Sequence, residues 1–123
     1  MNTIQAIKID VATQSVYIVE IPESDTLNAF YDHIHCNMVS HFHLDDYHGC
    51  YVDDEGFYNE HPGYWSLSGF RQPIAGNGMI TGADVMGNTA SVKREFIEWV
   101  KENVTFYKEG EVDLEPEIIF ISF

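Results

Sequence analysis

A chain of 123 residues and 14.1 kDa predicts one domain over 1–123, because a single core usually serves ~100–150 residues. A hydrophobic content of 45% excludes a disordered chain, which lacks the apolar surface needed to offset ordering entropy. Twenty Asp and Glu against six Lys and Arg give a net charge of −14, which excludes direct binding to nucleic acid or to an anionic membrane surface.

The first elements are two strands. Ile4, Ala6, Ile7 and Ile9 mark one over 4–9, and Val16, Ile18 and Ile21 mark another over 15–21 with partial period-2 alternation. The polar connector 10–14 suits a hairpin loop, and Pro22 ends the second strand. Ser24 or Asp25 then caps a helix over 25–35, in which Leu27, Phe30, Tyr31 and Ile34 recur at helical spacing and form one apolar face.

Two β-like stretches follow, 37–44 and 48–53, separated by Asp45-Asp46-Tyr47. Turns are read at Asp53–Gly56 and at His61-Pro62-Gly63, then a strand over Tyr64–Phe70. Gly76-Asn77-Gly78 reads as a tight turn before a strand near 78–83, and Gly87-Asn88 as the next turn. Val92, Phe96, Trp99, Val100 and Asn103 share one side of a helix predicted over Ser91–Val104. The apolar residues Ile118–Phe123 predict a last strand. The order implies an α+β fold, a mostly antiparallel β-sheet with two α-helices packed on it.

No run approaches the ~18–20 apolar residues of a membrane-spanning helix, and the opening residues lack a secretion-signal pattern. Two cysteines, Cys36 and Cys50, make no disulfide framework and read as small buried hydrophobes. A reduced, cytoplasmic setting is therefore expected.

The acids are unevenly spread. Residues 36–65 carry six of them, Asp45, Asp46, Asp53, Asp54, Glu55 and Glu60, without one Lys or Arg. Surface acids of this kind often do no more than keep a greasy protein soluble. The sharper reading is that they imitate the phosphate rows of a nucleic acid and occupy a basic groove on a partner.

The same region concentrates metal-type ligands. His41 and His43 as H-x-H on a strand would share a face, and His48 follows. The cysteines stand fourteen apart, unlike the paired spacing of structural zinc sites, and His41 and His43 equally suit a solvated face with Phe42 and Leu44 turned inward. Asp53-Asp54-Glu55 is better read as a polar turn than as a hydrolytic carboxylate pair. The Gly76-Asn77-Gly78 turn matches neither phosphate-loop pattern. No nucleophile signature is present, so the reading is non-catalytic, with no cofactor. The aromatic group Tyr51, Phe57, Tyr58, Tyr64, Trp65 and Phe70 is expected to be mostly core. An anion site in mid-chain would have to use Arg71 or backbone amides, with Tyr64 and Trp65 beside it.

The segments Ala6-Ile7-Lys8-Ile9-Asp10, Val19-Glu20-Ile21-Pro22, Val52-Asp53-Asp54-Glu55-Gly56, Gln72–Gly78 and Gly82 through Thr89, with a closing helix, carry a resemblance over nearly the whole chain. The chain resembles an uncharacterised family of small proteins from phages and mobile elements, catalogued as a domain of unknown function. The resemblance implies a protein acting in the host-cell cytoplasm and supplies no catalytic residues. Taken with the charge, it leads to the expectation of an acidic binding protein, a DNA-mimic-type inhibitor of a basic host defence nuclease or other nucleic-acid-binding protein. The alternatives are a protein that sequesters a nucleotide signal through Tyr64, Trp65 and Arg71, and a His-rich metal-binding protein.

Overall fold

The computed structural model describes residues 2–56, 61–69 and 73–108. The chain opens with an antiparallel hairpin of β1 (Thr3–Asp10) and β2 (Ser15–Pro22), in full register from Thr3 opposite Pro22 to Asp10 opposite Ser15. A 3-10 turn over Glu23–Asp25 leads into helix α1 (Thr26–Ile34). Asp25 stands at the N-cap, and its carboxylate accepts both bonds from the Asn28 amide rather than a backbone N–H. The buried face of α1 is Ala29, Phe30 and Ile34; Leu27, expected on that face, is 50% exposed.

A second hairpin follows, β3 (Val39–His43) with β4 (His48–Asp53). Then come β5 (Tyr64–Leu67), β6 (Ile74–Ala75), β7 (Gly78–Ala83) and β8 (Thr89–Ala90). Helix α2 (Phe96–Asn103) runs directly into β9 (Val104–Tyr107). The larger sheet has the order β2-β1-β7-β4-β3, with β8 on β7, and the smaller has the order β6-β5-β9. Every described pairing is antiparallel, so the fold is α+β with two α-helices, as the element order implies.

Helix α2 is shorter than the spacing predicts. Val92 does not join it: its N–H bonds to the Gln5 carbonyl at 2.9 Å, and Ser91 Oγ accepts the Gln5 N–H at 2.9 Å. Residues 91–92 are thereby tied to β1, and the helix starts only at Phe96. Val104, expected to end the helix, instead begins β9. The strand predicted over 118–123 lies outside the described residues, as do Phe57, Tyr58 and Phe70.

Alternation along the strands divides the apolar side chains between two layers. Ile7, Ile9, Val16, Cys50, Val52 and Ile80 meet α2 and the smaller sheet, where Trp65 and Leu67 complete the cluster. Ile4, Ala6, Ile21 and Met79 meet Phe30 and Ile34 of α1 on the other face. Trp65 is 1% exposed and donates its indole N–H to the Gly76 carbonyl at 2.9 Å. Among the described residues no helix is long and apolar enough to cross a membrane.

Candidate functional site

The larger sheet separates the three histidines considered as metal ligands. His41 and His43 alternate with the inward-packed Phe42 and Leu44 and stand exposed, in edge contact at 5.0 Å between ring centroids. The His41 ring covers Gly49 and lies 4.7 Å from the Tyr51 ring, which stacks on Phe30 of α1 at 4.1 Å. His48 begins β4 on the opposite face, 2% exposed, stacked on Phe96 of α2 at 3.8 Å and 6°.

Both His48 ring nitrogens are engaged. Nε2 accepts the Lys93 backbone N–H at 3.1 Å, so Nδ1 carries the ring proton and donates it to the Asp45 carboxylate, 3.1 Å from Oδ2. No lone pair remains on His48 for a metal ion. Among the described residues no group of three or more His, Cys, Asp or Glu is placed to hold one. The structure thus does not bring His41, His43 and His48 together. His48 instead joins β4 to the start of the α2 segment.

Asp45 supports that join. Its carboxylate accepts backbone N–H groups of Tyr47 at 2.8 Å and His48 at 2.5 Å. Partial burial acts to raise its pKa, but the bonds from His48 and Tyr47 outweigh it and hold the carboxyl below the usual carboxylate value. Tyr47 donates its hydroxyl to the Ser91 carbonyl at 2.7 Å, and the Lys93 ammonium sits 4.8 Å above its ring.

The acidic residues expected to make one surface are also divided. Asp45 and Asp46 occupy the turn of the β3–β4 hairpin, whereas Asp53, Asp54 and Glu55 follow the far end of β4. Five strand steps of ~3.3 Å place those two ends roughly 17 Å apart. Asp54 and Glu55 are exposed, Asp54 accepting the Ser40 hydroxyl. Asp53 is not a surface group: its side chain is 2% exposed, and its Oδ2 lies 2.9 Å from Nε2 of His61. Its Oδ1 accepts the Glu55 N–H at 2.9 Å. Glu60 lies outside the described residues.

Of the aromatic and cationic set proposed around a ligand, Trp65 is core, with no face left to stack on a nucleotide base. Tyr64 is half-buried opposite Ala75 and Tyr107, and Arg71 lies outside the described residues. Cys50 is fully buried, which pushes its thiol pKa far up; burial, then the Asp53 charge, pushes Cys36 up to about 11. Neither is an activated nucleophile.

The buried Asp53–His61 pair escaped the sequence reading, since an Asp and a His eight apart across a turn have no periodic signature. Buried on both sides, with the carboxylate also bonded to backbone, it resembles the supported imidazoles of functional sites more closely than any exposed His here.

No curated protein and no solved structure matches the chain significantly. A family match spans residues 4–105, most of the chain, and includes both hairpins, both helices and the Asp53–His61 pair. By that match the chain belongs to the family described as Domain of unknown function (DUF3846).

Proposed function

We propose that the chain is a non-catalytic acidic binding protein that presents carboxylates to a basic, nucleic-acid-handling partner. The observation that carries the reading is the segregation of charge. Among the described residues, Lys93, Arg94, Lys101 and Lys108 all lie in the segment that packs on one face of the larger sheet, where Glu95, Glu98 and Glu102 accompany them. The opposite side carries exposed Glu23, Asp25 and Asp32 around α1, while exposed Asp54 and Glu55 stand at the end of the sheet past β4, Asp54 accepting the Ser40 hydroxyl. Only half-buried Lys8 lies on that side among the described Lys and Arg. A rigid carboxylate face of this kind attracts a cationic groove at long range.

The location of that face differs from the sequence expectation. Asp53 is withdrawn from it, Asp45 is committed to His48, and α1 supplies acids outside 36–65. The finer reading, a DNA-mimic-type inhibitor from a phage or mobile element acting on a host defence nuclease in the host cytoplasm, rests on the net charge of −14 and on the family resemblance.

The test is affinity for a basic DNA-handling nuclease between low and physiological salt. Mimicry predicts a loss of affinity with a steep log–log salt slope, and competition with DNA. Charge reversal at Asp32 and Asp54 should weaken binding further, while reversal at Glu98 should not. Affinity indifferent to salt would end the reading.

A further inference from the structure

β2 is an outer strand of the larger sheet, paired with β1 on one side only. The bonds of β1 fix which backbone groups of β2 are left over. Gln5 turns its N–H and carbonyl to Ser91 and Val92, and Val11 turns its N–H to Asn77, so odd positions of β1 face away from β2. Asn2 O accepts the Glu23 N–H at 3.0 Å, so even positions face it. In the register of the hairpin, the residues of β2 that bond to β1 are then Ser15, Tyr17, Val19 and Ile21. The N–H and carbonyl groups of Val16, Ile18 and Glu20 point outward, and among the described residues nothing bonds to them.

Such a row of free donors and acceptors is a template for another strand. Edge strands are ordinarily blunted by brevity, by lysine, by inward charge or by an internal proline. β2 is eight residues long, its one charged residue is Glu20, and Pro22 stands only at its last position. Beside the free backbone, Tyr17 and Ile18 are 37% and 36% exposed. We propose that this edge is a self-association surface, on which a second copy of the chain pairs its own β2 antiparallel about a two-fold axis at Ile18. The inference is independent of the acidic-face reading.

The strand is self-complementary in that register. Ile18 falls opposite Ile18 of the second copy, and Val16 opposite its Glu20, so every outward residue meets an outward residue and exchanges both bonds with it. Other registers lose by comparison. An axis at Tyr17 sets Glu20 against Gln14, a loop residue at φ 52°, and an axis at Val19 sets Val16 against Pro22, which has no N–H. An axis at Glu20 opposes two like charges. With the axis at Ile18, Tyr17 meets Val19 on the face that α1 covers, and Ile18 meets itself on the other, both stabilising cross-strand pairs. A foreign strand could use the same backbone groups, but the symmetry of this register selects a second copy. The net charge of −14 on each copy opposes their approach, so salt should strengthen this pairing, the reverse of its effect on a cationic partner.

The experiment is sedimentation equilibrium of the full chain at low and high salt, joined to amide hydrogen exchange read by NMR at low and high protein concentration. A monomer–dimer equilibrium that tightens with salt is expected. The amides of Val16, Ile18 and Glu20 should gain protection as concentration rises, whereas those of Tyr17, Val19 and Ile21 should be protected throughout. Ile18→Lys acts twice across the axis and should weaken dimerisation about tenfold or more. Ile18→Pro removes an outward N–H without touching the β1 ladder and should do the same. His43→Lys, on the opposite outer strand, should leave dimerisation unchanged. If either Ile18 variant fails to fold, the alternating protection of the parent decides the matter. A chain that stays monomeric to millimolar concentration at both salts, protection of the three amides that ignores concentration, or a dimer that survives both Ile18 substitutions would overturn the proposal.

Discussion

Trp65 occupies the volume that a side chain at Gly78 would need: a Cβ there would stand 2.6 Å from its Cζ2. The indole is anchored by its bond to Gly76 O and lies in the shared core, so it has no direction in which to withdraw. Gly78→Ala should therefore cost about 1–3 kcal/mol, the usual range for overpacking. Chemical denaturation measures this directly, and an unchanged midpoint would contradict the contact.

His48 should behave as a structural residue. His48→Ala removes a stacked, buried ring and leaves the Lys93 N–H without its acceptor, at a cost of roughly 2–4 kcal/mol. The signature of a purely structural loss is that no added metal, zinc included, alters the thermal midpoint of the parent or of the variant by more than it alters that of an unrelated acidic protein.

Acid lability should trace in part to Asp45 and Asp10, whose carboxyls are both held below the ordinary value. In each, burial pushes the other way and is outweighed, at Asp45 by His48 and Tyr47 and at Asp10 by Tyr17, Thr13, Lys8 and Ala12. The unfolded chain then binds protons first as pH falls, so each contribution is complete above about pH 4 and lost below it, through the folded-state pKa. Asp45→Asn should flatten the stability–pH curve in that acid window and leave its slope near neutrality alone. Denaturant midpoints between pH 2 and 7 provide the check.

His33 should titrate below an ordinary histidine. Burial is the larger cause and the Lys8 charge the next. Lys8→Ala should move the His33 midpoint upward without restoring it fully, because the burial remains. An NMR pH titration reads both midpoints, and no movement would separate Lys8 from this imidazole.

Neither cysteine should label readily. With its thiol pushed to about 11, Cys36 is thiolate only to the extent of about one part in a thousand at pH 8, and fully buried Cys50 is closed to reagent. Iodoacetamide should modify Cys36 slowly and Cys50 only after unfolding, as peptide mass mapping can follow.

The parts of this fold that are legible in the sequence are those fixed by local pattern. The two hairpins, α1 and β7 follow from short-period alternation, from Pro22 and from turn residues such as Gly76 and Gly87, both at φ +83°. What local pattern misreads is set by distant partners. Val92 has helical spacing to Phe96, yet Gln5 recruits it to the sheet. β6 and β8, two residues each, have too little sequence to show a period, and β9 emerges without a break from α2. The same holds at the candidate sites. His48 looks like one ligand of a histidine-rich segment until Phe96 and Lys93 arrive from 45 and more residues away. Asp53 looks like a turn acid until His61 covers it.

The Asn77 side chain accepts the Val11 N–H at 3.0 Å and donates to His33 O at 2.8 Å. One amide therefore rivets the β1–β2 hairpin to the last turn of α1, from the turn that leads into β7. A helix fastened at its exit cannot swing on the sheet, so its one outward carboxylate, Asp32, holds its spacing from Asp25 at the N-cap before any encounter. A visiting protein would meet a stencil already cut, and association would require little freezing of this molecule's own motion.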